Sequence, residues 1–398
     1  MFKTQFKPKD DDLFIVALSV FSLFHLLFFL IGGFGSYYEQ THILFPYSGL
    51  FGYLQAPASY GAPAIWVSFF AAIAILWRPI RTWSLGLLLL GWGVILFLDQ
   101  ALLTGTRLIL FWITFSLFLA RFCDPKARIW FFRVLFFAIY TYSGLSKINP
   151  DWVAGHPLQD YLHTAGIDFS YLRELAVGMA FAGLLFDVLI VPALLWRRTN
   201  KIAMVFVFIF HLANLFLWEL YFVSLLALVF TYLSFRDVDE GEIREGFKQL
   251  KSPLLALFLL FQLLFPLRYL VYEGRGSWTL EASYFSWWLR TNKNEIDTRF
   301  YASCDGKEKE ISIWKHAHKN QGRFLINPRM VLQFAHHLED EGVQGEKGER
   351  CKNLKITTKM KRSLNKRSPT FVISPKLDLL SMPIDSKASD YVLPLPPR

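Results

Sequence analysis

Before residue 270 the chain carries nine runs of mainly apolar residues, each close to the length of a membrane-spanning helix, and this constrains its fold more than any other feature. A spanning helix needs roughly 20 mainly apolar residues, with a range of about 17–25. The runs cover 13–35, 61–77, 83–103, 108–122, 129–145, 172–196, 202–218, 219–235 and 253–269. The fourth and eighth are short, and a re-entrant or differently tilted path would shift the count by one. Only 19% of residues are charged, against about 25% in a soluble domain. The expectation is a mainly α membrane protein: a polytopic bundle of about nine transmembrane helices over 1–270, then a polar tail over 271–398.

Charge orients the bundle. With the N-terminus inside, the inner loops carry Lys3, Lys7, Lys9, Arg78, Arg81, Arg121, Lys126, Arg128, Arg197, Arg198, Lys201, Arg236, Arg244, Lys248 and Lys251, against Arg107 and Lys147 in the outer loops. Lys and Arg concentrate on the cytoplasmic side. The tail then lies on the outer face, periplasmic or extracytoplasmic in a bacterium and lumenal in a eukaryote. The same distribution accounts for the net charge of +10 without nucleic acid as a partner, since neither zinc-finger spacing nor a basic helix-turn-helix is present. The partner these runs demand is the lipid bilayer. Lys3, Lys7, Lys9 and Asp10–Asp12 before the first run read as a retained anchor rather than a cleaved signal.

The tail reads as a mixed α/β soluble domain. "ISIW", "LKITTKM" and "FVIS" have strand character. Asn327 and Pro328 introduce an apolar-periodic run, the pattern of a capped helix. Cys304 and Cys351 lie here and can pair or stay free, whereas Cys123 sits near a membrane edge. The Lys355–Arg367 basic run is a solvated face or a surface for an acidic peptide.

Lys147, in "YTYSGLSKINPDW", breaks the charge rule: every other lysine before residue 270 falls on the inner side. It is a snorkelling side chain or a desolvated amine able to act as a base. His211 and Asn214 are three apart on one face of the seventh run, as a helix–helix hydrogen-bonding pair or as site residues. Asp99 ends the third run. Asp187 sits within the sixth and needs a proton, a partner or water; Arg133 can serve if their helices meet. His25 reads as structural. His156, His163, Asp151 and Asp160 crowd one loop but fit no zinc spacing, so no metal is expected.

Taken together these stations resemble the vitamin K-dependent γ-glutamyl carboxylase family, membrane proteins with an HTTM domain. "GLSKINPDWVAG" is similar to the family's lysine-to-Asp-Trp motif, "FHLANLF" to its Phe-His-x-x-Asn segment, and "PLRYLVYEGRGSWTLEASYFSWWLR" to the entry into its lumenal domain. "RMVLQFAHHL" and "SLNKRSPTFVISPKLDLL" resemble later stations in the same order. The resemblance implies Lys147 as catalytic base and His211 as a second catalytic residue, with Asp151, Trp152, Asn214, Asp99 and Trp278 as substrate-binding. It implies vitamin K hydroquinone, O2 and CO2 as co-substrates, and a Glu-containing peptide or protein as substrate. The products would be vitamin K epoxide and γ-carboxyglutamate. One departure stands out: where the family carries an Asn-His pair, this chain has Gly105 and Thr106. That departure favours the alternative of a catalytically altered or inactive binding or scaffold protein on the same fold. The absence of an internal repeat disfavours a transporter.

Overall fold

The computed structural model describes residues 8–31, 43–47, 58–167, 171–217, 221–281, 283–289, 291–342, 351 and 353–397. Its α-helices are α1 (Pro8–Ile31), α2 (Gly61–Ala74), α3 (Arg81–Leu98), α4 (Gly105–Ala120), α5 (Pro125–Ser146), α6 (Pro150–Val153), α7 (His156–Thr164), α8 (Leu172–Leu195), α9 (Arg197–Leu217), α10 (Tyr221–Phe235), α11 (Glu242–Gln249), α12 (Pro253–Leu264), α13 (Gly276–Thr279) and α14 (Pro328–Glu341). The last residues of the first apolar run, 32–35, and positions 218–220 lie outside the described residues.

Among the described residues, six helical spans are long and apolar enough to cross a membrane: Asp11–Ile31, Arg78–Leu98, Pro125–Ser146, Leu172–Leu195, Arg197–Phe216 and Pro253–Val271. Three more, Gly61–Ala74, Gly105–Ala120 and Phe222–Phe235, are apolar but shorter. At 1.5 Å per residue, 14 residues span roughly 21 Å, short of a hydrocarbon core about 30 Å thick. Nine crossings therefore require the short helices to span locally thinned bilayer, and length alone supports six. The bundle exposes Phe24, Phe28, Trp66, Phe70, Leu90, Leu185, Leu189, Phe206, Phe216 and Leu257. A water-facing surface would not carry so broad an apolar coat; lipid accommodates it.

Helix α5 runs through the middle, against α4, α8, α10 and α12. Most of its residues are buried, from Phe131 and Phe136 to Tyr140 and Ser143. At one end of the bundle, Asp12 pairs with Arg81 at 2.9 Å and Asp11 with Arg128 at 3.0 Å. Arg133 pairs with Glu242 on α11. Helix α3 stops at Leu98, short of its expected end at Leu103, because the Asp99 side chain accepts the Ala101 N–H (2.8 Å) and starts a 3-10 turn over Gln100–Leu102.

The opposite end carries the C-terminal region. Strands β1 (Asn294–Cys304), β2 (Lys307–Ile311), β3 (Leu354–Leu364) and β4 (Thr370–Phe371) form an antiparallel sheet in the order β2-β1-β3-β4. Ile356 and Met360 of β3 and Phe300 and Ala302 of β1 share a core with Met330, Phe334 and Leu338 of α14. Asn327 caps α14 by accepting the Arg329 N–H at 3.0 Å. The expected strand at "ISIW" ends at Ile311, and Ile313–Lys315 instead form a 3-10 turn.

Cys304 and Cys351 are disulfide-bonded, with Cα atoms 5.6 Å apart and a sequence separation of 47. Closing a loop of that size removes on the order of 4 kcal/mol of unfolded-chain entropy. Reduction should lower the unfolding midpoint of the C-terminal region, read by differential scanning fluorimetry with and without reductant; an unshifted midpoint would show that the bond does not stabilise the sheet.

Candidate functional site

The site forms where α5 meets α8. A Cβ on Gly144 would lie 2.7 Å from Val188 Cγ2 and 3.1 Å from Asp187 Cβ, so glycine is what lets the two helices touch. Lys147 caps the C-terminus of α5. Helical side chains lean back toward the N-terminus, and the Lys147 side chain takes that direction: Nζ lies 3.5 Å from Ser143 Oγ and forms an ion pair with Asp187. Both partners are buried, at 4% and 2% exposure. The Trp152 and Phe210 rings wall the amine, with centroids 5.2 and 6.0 Å from Nζ. Arg133, which could serve Asp187 only if their helices met there, lies near the other end of α5, bound to Glu242.

Two turns earlier on the same face of α5, the Tyr140 hydroxyl lies 2.6 Å from His211 Nε2 and 3.1 Å from Thr231 Oγ1. Phe186, next to Asp187, stacks on Phe210, next to His211, at 4.0 Å between centroids. An aromatic wall thus joins the Lys147–Asp187 pair to the Tyr140–His211 pair. His211 is 6% exposed, and its Nδ1 has no hydrogen-bond partner among the described residues. Asn214 is partly buried one turn further along α9. Chemically this is one ionisable pair able to take up a proton and one imidazole nitrogen able to bind a ligand oxygen, in apolar surroundings.

Of the remaining expected residues, all but Trp152 lie elsewhere. Trp152 joins the amine and donates its indole N–H to Ala180 O at 3.0 Å. Asp151 turns away to the C-terminal region, where Arg367 Nη2 donates to it at 2.8 Å and Asn365 Nδ2 at 3.3 Å. Asp99 also lies at that seam, accepting from Gln321 Nε2 at 2.8 Å and the Phe45 N–H at 3.3 Å. Trp278 belongs to the core of the C-terminal region, its indole N–H on Leu393 O at 2.7 Å and the Arg362 guanidinium 4.2 Å over its ring. Gly105 begins α4, and an imidazole does reach that turn from α1: Arg107 Nε donates to His25 Nε2 at 3.2 Å. Sequence reasoning missed Tyr140 and Thr231; the Tyr140–Ser143–Lys147 spacing, one face of a helix, was the available signal for the first.

Burial alone would raise the Asp151 carboxyl, but hydrogen bonds from Arg367 and Asn365 and the charges of Arg367 and Arg275 outweigh it and hold it below the usual carboxylate range. A depressed folded pKa contributes stability that is complete above the unfolded value and lost as pH falls through the folded one. Stability should therefore be insensitive to Asp151 between neutrality and about pH 5, and fall below about pH 4. Asp151→Asn should flatten that acid limb in thermal melts; an equally steep limb would exclude Asp151 as its source.

An apolar helical bundle with a buried ion pair near one end, and a sheet-based region docked on that end, defines a polytopic membrane protein with an extramembranous domain. Residues 124–238 match the HTTM domain family, and residues 247–398 match the lumenal domain of vitamin K-dependent gamma-carboxylase. The chain belongs to this carboxylase/HTTM family. Lys147, Asp187 and His211 fall within the HTTM match, and Gly105–Thr106 precede both matches. No curated protein and no solved structure matches the chain.

Proposed function

We propose that the protein is a vitamin K-dependent γ-glutamyl carboxylase-type enzyme that couples epoxidation of a vitamin K hydroquinone to carboxylation of peptide glutamate. The observation that carries this reading is the buried Lys147–Asp187 pair in an aromatic wall, on a chain of the carboxylase/HTTM family. Reduced vitamin K, when bound, supplies with O2 the strong base that removes a glutamate γ-proton before CO2 adds.

The residues fit such a ligand. Phe186, Phe210 and Trp152 offer aromatic surface, and His211 Nδ1 is a buried nitrogen able to bind a phenolic or carbonyl oxygen. The Lys147–Asp187 pair is neutral as a unit. Accepting a phenolic proton makes it singly positive, and that charge stabilises the phenolate left behind. In low dielectric the attraction is far stronger than in water. Tyr140 fixes the His211 ring, and the apolar walls keep water from quenching reactive species. The concentration of Lys and Arg in alternate loops supports a cytoplasmic N-terminus, so that the peptide would meet the site from the lumenal or periplasmic face.

The test is to incubate purified protein in nanodiscs with vitamin K hydroquinone, bicarbonate and a Glu-containing peptide. Epoxide together with carboxylated peptide is the expected result. Epoxide alone would point to an uncoupled oxygenase. Neither product would overturn the reading in favour of a non-catalytic binding protein, the role to which Gly105 and Thr106 point.

A further inference from the structure

Lys147 is covered by a segment that the C-terminal region holds in place. Helix α6 is a single turn, with too few backbone hydrogen bonds to persist alone, so side chains set its position. On its inner side Trp152 faces Lys147 Nζ at 5.2 Å and is tied to Ala180 of α8 at 3.0 Å. On its outer side Asp151, 1% exposed, is gripped by Arg367 (Nη2 2.8 Å, Nε 3.4 Å), Asn365 (Nδ2 3.3 Å) and Arg275 (Nη2 3.4 Å). Adjacent helical residues point roughly 100° apart, so the two grips act on one rigid turn from different sides.

The gripping groups are themselves ordered before they reach Asp151. Asn365 sits in a left-handed conformation at φ 52°, exchanges hydrogen bonds with the Lys293 backbone (2.8 and 2.9 Å), and thereby holds the end of β3. Arg367 Nη1 donates to Pro396 O at 3.0 Å. A second grip follows on α7, where Asp160 pairs with Lys293 at 2.9 Å and Lys366 at 3.2 Å. Between the grips, Gly155 has φ 73°, and a Cβ there would lie 2.8 Å from Val177 N, so the corner is pressed onto α8. Two carboxylates of the helical part thus meet four cations of the C-terminal region, the nearer carboxylate four residues from Lys147.

We infer that Arg367, Asn365 and Arg275 are positioning residues that act through Asp151: docking of the C-terminal region holds Trp152 as a cover over Lys147 and so governs access to that amine. Its functional meaning rests on the proposed role of Lys147, but the coupling itself does not. Releasing the Asp151 grip frees α6 to swing on Asn149, uncovering the amine while the Lys147–Asp187 pair stays on its own two helices.

The experiment pulses the full-length protein in nanodiscs with acetic anhydride and reads acetylation of individual lysines by peptide mass spectrometry, with exposed Lys248 as internal standard. Arg367→Gln and Asp151→Asn should raise Lys147 labelling about ten-fold or more, the size expected for losing a charge-assisted hydrogen bond. Trp152→Ala should do the same with the Asp151 grip intact. The exchange Asp151→Arg with Arg367→Asp, made together with Arg275→Gln so that no second arginine faces position 151, should bring labelling back toward the native rate, which a merely destabilising substitution would not allow. Unchanged Lys147 labelling in Arg367→Gln and Asp151→Asn, with Lys293 and Lys366 becoming more reactive, would overturn the inference, because the C-terminal region would then loosen without moving the cover. Arg275→Gln and Asn365→Ala are milder variants that read the same quantity if the others do not fold. Labelling is scored without turnover, so an inactive enzyme with the expected pattern would refute the carboxylase reading and leave the coupling standing.

Discussion

Replacing Lys147 with methionine is expected to lower vitamin K epoxide formation by about 10²–10⁴-fold, the usual contribution of a positioned base. Methionine keeps most of the volume between Trp152 and Phe210, so the aromatic wall should survive; because the substitution also leaves Asp187 without its partner, turnover is read per folded protein. Epoxide and carboxylated peptide should fall together, because in the proposed reaction the proton is taken up before either product forms. Supplying a small primary amine should restore part of the turnover. A Lys147→Met protein with undiminished epoxide formation would remove the amine from the reaction.

Asp187→Ala should have the largest effect on stability. It leaves the Lys147 amine buried without the carboxylate it faces, and breaking a buried pair from one side costs about 3–5 kcal/mol. The double variant Lys147→Met with Asp187→Leu should recover most of that loss, since apolar replacement of a buried pair is often neutral or stabilising. Thermal unfolding of the three proteins in one detergent is the measurement. If Asp187→Ala were as stable as the native chain, the ion pair would not be buried in solution. If the double variant were stable and also active, the pair would have no chemical role. If it is stable but inactive, the native protein keeps a pair that apolar residues replace at little cost because the proposed chemistry needs it.

The membrane architecture was legible because its signal is local. A spanning helix satisfies its own backbone hydrogen bonds, so twenty contiguous side chains report it. That is why α1, α5, α8 and α9 fall close to the runs read from hydropathy. The misplaced end of α3 has an equally local cause that hydropathy does not weigh: the Asp99 carboxylate competes for the Ala101 N–H while the surrounding residues stay apolar. Lys147 stood out as a lysine on the wrong side of a charge pattern, and its burial answers the choice between a snorkelling head group and an enclosed amine.

Sequence alone determined the helical membrane class, the polar αβ tail, the family resemblance and the individual suspects Lys147, Asp187 and His211. Tertiary structure decided the partnerships. Asp187 lies 40 residues from Lys147 and reaches it through the small surface of Gly144. Asp151 meets Arg367 across 216 residues, and Asp99 meets Gln321 across 222. A hydropathy run records whether a segment prefers lipid, and that preference is the same whichever neighbour it packs against. The pairing of buried charges is set by which helix faces touch, a property of the packed bundle that no single segment encodes.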